Sequence, residues 1–188
     1  MNLARTFMAA CALGLAFGAA AQAPAAGGFP NRPITMVVPF APGGSNDMIA
    51  RAIGQELSKT FGQSVVVENR AGAGGAVGAL QVSKAAPDGY TLMLASTSLT
   101  VTSATQPNTQ VDAIKGFTPV VQVATSPFVI VAKPGFAAKT PAELVSEAKA
   151  GPGRISYASS GLGGIVHIGV EFFSSTAGVK FTHVPYKG

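Results

Sequence analysis

Short apolar runs alternate with helical patterns along the chain. Residues 34–39 form a continuous apolar run bounded by turn residues, which is typical of a buried parallel strand. The segment from about 47 to 60 predicts an amphipathic helix that ends at Gly62. Its apolar residues recur on one face at helical spacing: Met48, Ile49, Ala52, Ile53 and Leu57.

The same alternation continues to residue 95. A valine-rich run at 64–68 predicts a second strand, and small residues after a glycine-rich turn predict a helix to about residue 85. Residues 90–95 predict a third strand. This order of strands and helices predicts an α/β fold with a doubly wound parallel sheet.

The middle of the chain is less regular. The Thr- and Ser-rich segment 96–118 is interpreted as a loop with at most one helical turn. Two apolar runs, 120–125 and 128–132, predict strands, or one long strand broken at Pro127. Such a strand is a suitable place for the polypeptide to cross between domains.

A second strand–turn–helix unit follows. The Thr-Pro-Ala-Glu sequence at 140–143 is a capping box and predicts a helix that ends at Gly151. Residues 154–158 predict a strand, the glycine-rich segment 159–164 a turn, and the next residues a helix to about Ala177. A last strand is expected at 181–185.

Both glycine turns connect a strand to a helix. Backbone N–H groups at such a turn lie unpaired at the positive end of the helix dipole, where an anion binds well. The first turn reads Gly-Gly-Ser-Asn-Asp at 43–47 and lacks the lysine of a nucleotide-binding P-loop, so it suits a small anion such as a carboxylate. We expect Ser45 to cap the helix. Asp47 fits two interpretations: it contacts the ligand, or it complements the dipole and organises the turn.

The N-terminus has the pattern of an export signal. Arg5 precedes an apolar run from Phe7 to Ala21, and Ala21-Gln22-Ala23 fits a cleavage site. We therefore interpret residues 1–23 as a signal peptide cleaved after Ala23. The single cysteine, Cys11, lies inside this segment.

Composition excludes several functions. The formal net charge is +5, but the basic residues are scattered and not interleaved with aromatic ones, which disfavours nucleic-acid binding. His167 and His183 are interpreted as packed histidines, so no metal site is predicted. The glycines of 72–78 have the wrong spacing for dinucleotide binding, and close helix packing explains them better. No cofactor is expected.

Several motifs in this order resemble the Bug/TctC family, the periplasmic solute-binding proteins of tripartite tricarboxylate transport systems. The motifs are Val37-Val38-Pro39-Phe40-Ala41-Pro42-Gly43-Gly44-Ser45-x-Asp47, Val65-Val66-Val67-Glu68-Asn69-Arg70-Ala71-Gly72, Ala85-Ala86-Pro87-Asp88-Gly89-Tyr90, Tyr157-Ala158-Ser159-Ser160-Gly161, and His183-Val184-Pro185-Tyr186-Lys187-Gly188.

The resemblance implies a type II periplasmic-binding-protein fold with a first α/β domain at 24–125 and a second at 126–188. It implies a ligand cleft between the domains. The implied binding residues are Gly43, Gly44, Ser45, Asp47, Ser96, Thr97, Ser159, Ser160 and Gly161. Family members extend beyond the Val-Pro-Tyr-Lys-Gly motif, so the second domain is expected to be partial and the sequence to be truncated at its C-terminal end.

The function implied is capture of a small organic carboxylate in the periplasm, for uptake by the membrane subunits of a tripartite transporter or for sensing. The protein is expected to be monomeric and not an enzyme. Two alternatives stay open: an exported small-molecule enzyme of α/β fold, for which Ser159 and Ser160 lack an evident base, and a non-functional truncated copy.

Overall fold

A computed structural model of the protein describes residues 28–106 and 110–186. It contains two compact units, Met1–Asn31 and Arg32–Gly188. Within its described residues, 28–31, the first unit has no helix or strand. The predicted signal peptide, 1–23, lies outside the described residues. All elements below belong to the second unit.

Three parallel strands form the larger sheet: β1 (Ile34–Val38), β2 (Val65–Asn69) and β3 (Thr91–Met93). Their order is β2-β1-β3, and Met36 in the central strand lies opposite Val67 on one side and Leu92 on the other. Since one strand is added to each side of β1, this is the doubly wound arrangement that the sequence predicts.

The helices of this half are α1 (Ser45–Phe61), α2 (Ala76–Ser83) and α3 (Ser98–Thr105), with a short 3₁₀ turn at Ala73–Gly75 before α2. Helix α1 ends at Gly62, as predicted. On the predicted apolar face of α1, Ile53 and Leu57 pack against the core beside β1, whereas Met48 and Ala52 are exposed. This core consists of Met36, Val38, Phe40 and Ala50, with Ile53, Leu57, Val65, Val67, Leu92 and Leu94 packed against it.

Helix α2 lies very close to the sheet. A Cβ at Gly78 would be only 2.9 Å from the carbonyl oxygen of Arg70 and from Cα of Pro39. Only glycine fits there, because backbone atoms cannot move aside as a flexible side chain can. This confirms close packing as the reason for glycine at this position.

The second half contains α4 (Pro141–Ala150), β4 (Ser156–Ser159), α5 (Ile165–Ala177) and β5 (Thr182–Pro185). Strands β4 and β5 pair in parallel as a two-stranded sheet. The capping box is confirmed: Thr140 Oγ1 accepts the Glu143 N–H at 3.2 Å, and Glu143 Oε2 accepts the Lys139 N–H at 2.6 Å. Residues 154–155 precede β4, which begins two residues later than predicted.

Two predictions for the middle of the sequence are wrong. Segments 120–125 and 128–132 are not strands, because no described strand lies beside them to pair with their backbone. Their apolar side chains are exposed, as Val120, Phe128 and Val131 illustrate. In the polar segment 96–118, residues 98–105 form helix α3, which has two turns where at most one was predicted, and the described residues after it form no helix or strand. Side-chain hydroxyls of α3, such as that of Thr105, bond to carbonyl groups one turn earlier.

Candidate ligand-binding turns

The first turn leads from β1 into α1 and leaves several backbone donors free. Gly43 has a left-handed φ of +85°, and Gly44 is the N-cap in an extended conformation, φ −76° and ψ 170°. This helix end has no side-chain cap, so the prediction that Ser45 is the cap is wrong. Within the described part of the protein, no acceptor bonds the N–H groups of Gly44, Ser45 and Asn46.

The Asp47 side chain lies inside the turn and is hydrogen-bonded to its backbone. Its side chain is buried, and Oδ2 accepts the Gly43 N–H at 2.9 Å. Arg51 pairs with the same carboxylate, with Nη2 2.9 Å from Oδ1 and Nε 3.0 Å from Oδ2, and Asn69 Nδ2 donates to Oδ1 at 3.0 Å. The Arg51 guanidinium, followed by the Gly43 N–H and the Asn69 amide, holds the pKa of Asp47 far below its usual range. Asp47 is therefore ionised and paired within the turn.

The second turn leads from β4 into α5 with the same backbone geometry. Gly163 has a φ of +75°, and Gly164 is the extended N-cap, φ −71° and ψ 165°, with no side chain of its own to cap the helix. The Gly163 N–H donates to His167 Nδ1 at 3.1 Å. Asp47 lies four positions after Gly43, and His167 lies four positions after Gly163, so the same hydrogen bond occurs in both halves.

Ser159 and His183 form a close pair beneath the second turn. Ser159 Oγ lies 2.6 Å from His183 Nε2 and accepts the Gly161 N–H at 3.1 Å. Burial, followed by the neighbouring His167, lowers the pKa of His183, which favours a neutral ring that can accept the Ser159 hydroxyl proton. The expectation that Ser159 lacks a nearby base was wrong, because β4 and β5 are adjacent although their residues are 24 positions apart.

Ser98, at the start of α3, joins the second turn to the first half. Its buried Oγ accepts the Ile165 N–H at 3.1 Å, so a hydroxyl from a distant part of the sequence caps α5. Gln106 Nε2 donates to Leu162 O at 3.1 Å in the same contact. A Cβ at Gly74 would be 2.9 Å from Leu162 O, so the two segments pack backbone to backbone.

A small cavity lies beside this contact. Ser96 and Ser98 line it together with Phe40 and Gly74. It has room for about one water molecule. The cavity in this conformation is therefore too small for an organic ligand.

The predicted binding residues fall into three groups. Gly43, Gly44, Ser45 and Asp47 form the open first turn, Ser96 and Thr97 precede α3, and Ser159, Ser160 and Gly161 form the packed start of the second turn. Among the described residues, no hydrogen bond joins the first group to the third. Their joint contact with a ligand stays a prediction.

Sequence reasoning left two residues out of the candidate set: His167 and His183. The sequence carried one usable signal, because the Gly-Gly-x-x-Asp of the first turn has the same spacing as Gly-Gly-x-x-His at 163–167. No comparable signal indicates the Ser98 contact, which joins residues 67 positions apart.

Comparison with known proteins identifies a family that this chain matches. Residues 49–188 match the model of the tripartite tricarboxylate transporter family receptors, TctC. The chain spans about half the length of the curated relatives it matches. Within the described residues, no helix is both long enough and apolar enough to cross a membrane.

Three solved structures are similar in fold and sequence, and the similarity covers 85% of this chain in each case. The periplasmic binding protein BugD is 36% identical with a TM-score of 0.80, over 54% of its own length. Rpa4515 of R. palustris, solved with adipate, is 37% identical with a TM-score of 0.81, also over 54%. MatC (Rpa3494) of Rhodopseudomonas palustris, solved with bound malate, is 33% identical with a TM-score of 0.76, over 55%.

These findings confirm the predicted α/β fold of periplasmic binding proteins. The family is named for a receptor and BugD for binding, and neither is named as an enzyme, in agreement with the prediction of a non-enzymatic protein. The chain belongs to the Bug/TctC family of tripartite tricarboxylate transporter receptors, a family of periplasmic solute-binding proteins.

Proposed function

We propose that the protein binds a small organic carboxylate as an extracytoplasmic solute-binding protein. The observation that carries this proposal is the open first turn, whose N–H groups at Gly44, Ser45 and Asn46 have no acceptor among the described residues. These donors lie at the positive end of α1, a helix of 17 residues. A carboxylate has the charge and the acceptor oxygens that such a turn can bind.

The electrostatics of the turn support an anionic ligand. The negative charge of Asp47 lies inside the turn and is paired with Arg51, so it repels an incoming carboxylate less than a free aspartate would. Asp47 therefore affects ligand binding by holding the backbone of the turn in place. The alternative, direct contact between Asp47 and the ligand, requires this pair to open.

A ligand with two carboxylates fits the duplication of the turn, provided that the Gly164 and Ile165 N–H groups of the second turn are released from Gly161 O and Ser98 Oγ. The proposed division of the protein, with a first domain at 24–125 and a second at 126–188, puts one turn in each domain. Two of the similar proteins were solved with adipate and with malate, which are both dicarboxylates. We extend this chemistry to the present protein, with Ser96 and Thr97 between the two turns.

The proposed biological role is in keeping with the family. In this role the protein delivers its solute to the membrane subunits of a tripartite transporter or serves a sensing system, and it acts as a monomer. Export through cleavage after Ala23 would bring it to the periplasm.

An enzymatic role has less support. Ser159 and His183 have the spacing of a nucleophile and a base, but the Ser159 side chain is buried and already accepts the Gly161 N–H. A nucleophile must reach its substrate. We therefore assign this pair to the structure of the second turn.

Titration tests the proposed function. Because the chain spans about half the length of its relatives, calorimetry is run on the exported protein and on a chimera that adds the remaining C-terminal part of BugD. We expect saturable binding of adipate or malate in the chimera, and no binding of dimethyl adipate, which has the same carbon skeleton without the charges. Equal binding of the diester, or no binding of any carboxylate by either protein, would contradict the proposal.

A further inference from the structure

Both histidines of the chain lie in one ring stack of the second half. His167 on α5 lies face to face with His183 on β5, with ring centroids 4.3 Å apart, and His183 stacks in turn on Tyr157 of β4 at 4.8 Å. Two positive charges on imidazole rings at this distance repel each other strongly. The stack is therefore stable only while at least one of the two histidines is neutral.

The hydrogen bond from Gly163 requires His167 to be the neutral form. Nδ1 of His167 accepts the Gly163 N–H at 3.1 Å, so this atom carries no proton, and the proton of the neutral ring is on Nε2. A second proton can bind only at Nδ1, and a protonated Nδ1 is a donor that cannot accept an N–H. Protonation of His167 therefore breaks the bond that holds Gly163.

Among the described residues, the titratable groups in contact with the histidine pair are Glu171 and Tyr157. Glu171 Oε1 lies 4.0 Å from His167 Nε2 and accepts the Tyr157 hydroxyl at 2.9 Å. Burial, followed by this hydrogen bond, raises the pKa of Tyr157, so the hydroxyl keeps its proton in acid. Helix α3 packs on α5 from the first half, and its residues 98–105 carry no charge. The Glu171 carboxylate is therefore the group that attracts a proton to the pair.

We propose that the stacked pair of His167 and His183 is an acid-sensitive switch that releases the second turn from α3. A proton on His167 frees Gly163, and a second proton on His183 forces the rings apart. The freed turn carries the Ile165 N–H, whose bond to Ser98 Oγ holds the turn against α3. The switch is a property of the turn itself and goes beyond the proposed function, since no ligand takes part.

The direction of the pH effect follows from His183. Burial, followed by the neighbouring His167, lowers the pKa of His183 below its ordinary value near 6.5. In mild acid the unfolded protein therefore binds more protons at this position than the folded protein, so the second half loses stability as the pH falls. Ser159 permits the change: its Oγ, 2.6 Å from Nε2, can accept from the charged ring while its hydroxyl donates to Gly161 O at 3.2 Å.

The experiment follows the backbone amides of the isotope-labelled protein by nuclear magnetic resonance from about pH 7.5 to about pH 4.5. After correction for the pH dependence of free amides, the Gly163 and Ile165 N–H groups should exchange about tenfold faster at the acid end, the equivalent of one net hydrogen bond. The Gly43 N–H is the matched control. Its acceptor, Asp47, has a pKa far below this range, so the protection of Gly43 should stay constant.

His167→Asn keeps an acceptor and removes the titration. Asp47, at the same position of its own helix, shows that a short side chain reaches the glycine N–H, at 2.9 Å. The Gly163 N–H should therefore stay protected across the whole pH range in this variant. The His183 ring signal should titrate closer to its ordinary value, because the like charge beside it is gone.

Glu171→Gln is a second variant that leaves both histidines in place. Glutamine keeps an oxygen for the Tyr157 hydroxyl and removes the charge, so the pH at which Gly163 loses its protection should fall by about half a unit.

Constant Gly163 exchange in the parent would overturn the inference, because the histidines would then not control the turn. The parent's pH response, unchanged in both variants, would assign it to another group. A parallel rise at Gly43 would show general unfolding in acid, and a rise at Gly163 with constant Ile165 exchange would show that the turn stays on α3; either result would also overturn the inference.

Discussion

Replacing Gly44 with valine should abolish carboxylate binding while the protein stays folded. Gly44 has an extended conformation, φ −76° and ψ 170°, which valine adopts without strain. Its branched side chain would lie next to the free N–H groups of Ser45 and Asn46 and block the approach of an anion. We expect affinity for adipate or malate to fall by about 100-fold or more, from the loss of several charge-assisted hydrogen bonds.

Ser45→Ala is the matched control. It removes the hydroxyl next to Gly44 but keeps every backbone N–H, and the hydroxyl does not cap the helix. Calorimetry should therefore give an affinity within about threefold of the parent. If the alanine variant lost binding and the valine variant kept it, the side chain of Ser45 would be the donor and the backbone account would be wrong.

Asp47→Asn should reduce thermal stability at pH 7, and the difference from the parent should shrink in acid. The pKa of Asp47 in the folded protein lies far below its ordinary value near 3.8, so the carboxylate stabilises the fold above that ordinary value. This contribution is lost as the pH falls toward the lower pKa. Melting temperatures measured from about pH 7 to pH 2 should therefore converge at the acid end.

Asp112→Asn is the comparison for this experiment. The N–H groups of Lys115 and Ile114 also lower the pKa of Asp112, but Asp112 has no paired arginine among the described residues and lies exposed. At neutral pH, Asp112→Asn should lower the melting temperature by less than Asp47→Asn does. A difference for Asp47→Asn that stays constant with pH would show that the charge contributes nothing, and that only the shape of the side chain matters.

The elements that were predicted correctly are those whose structure is determined by residues close to one another in the sequence. The apolar run of β1, the helical spacing in α1 and the capping box at Thr140 each specify their structure within a few residues. The two glycine turns were also found, because a glycine turn between an apolar strand and a helix is a local signal. The anion binding that we propose for the first turn rests on its backbone geometry.

The elements that the sequence missed depend on distant parts of the molecule. Val120 and Phe128 lie in runs with strand composition, but a strand also needs a neighbour, and none of the described strands provides one. Helix α3 forms from residues of low helix propensity and makes contacts through Ser98. The Ser159–His183 pair exists only because β4 and β5 lie side by side.

The most direct test of the account follows the backbone amides of the first turn by nuclear magnetic resonance. Adipate and malate are titrated into the isotope-labelled protein and into the chimera. The account predicts saturable shifts of the Gly44, Ser45 and Asn46 amide signals at the concentrations at which calorimetry shows binding, and a nearly constant signal for Gly43, whose N–H is bonded to Asp47. Saturable binding that leaves the Gly44, Ser45 and Asn46 signals unmoved would contradict it.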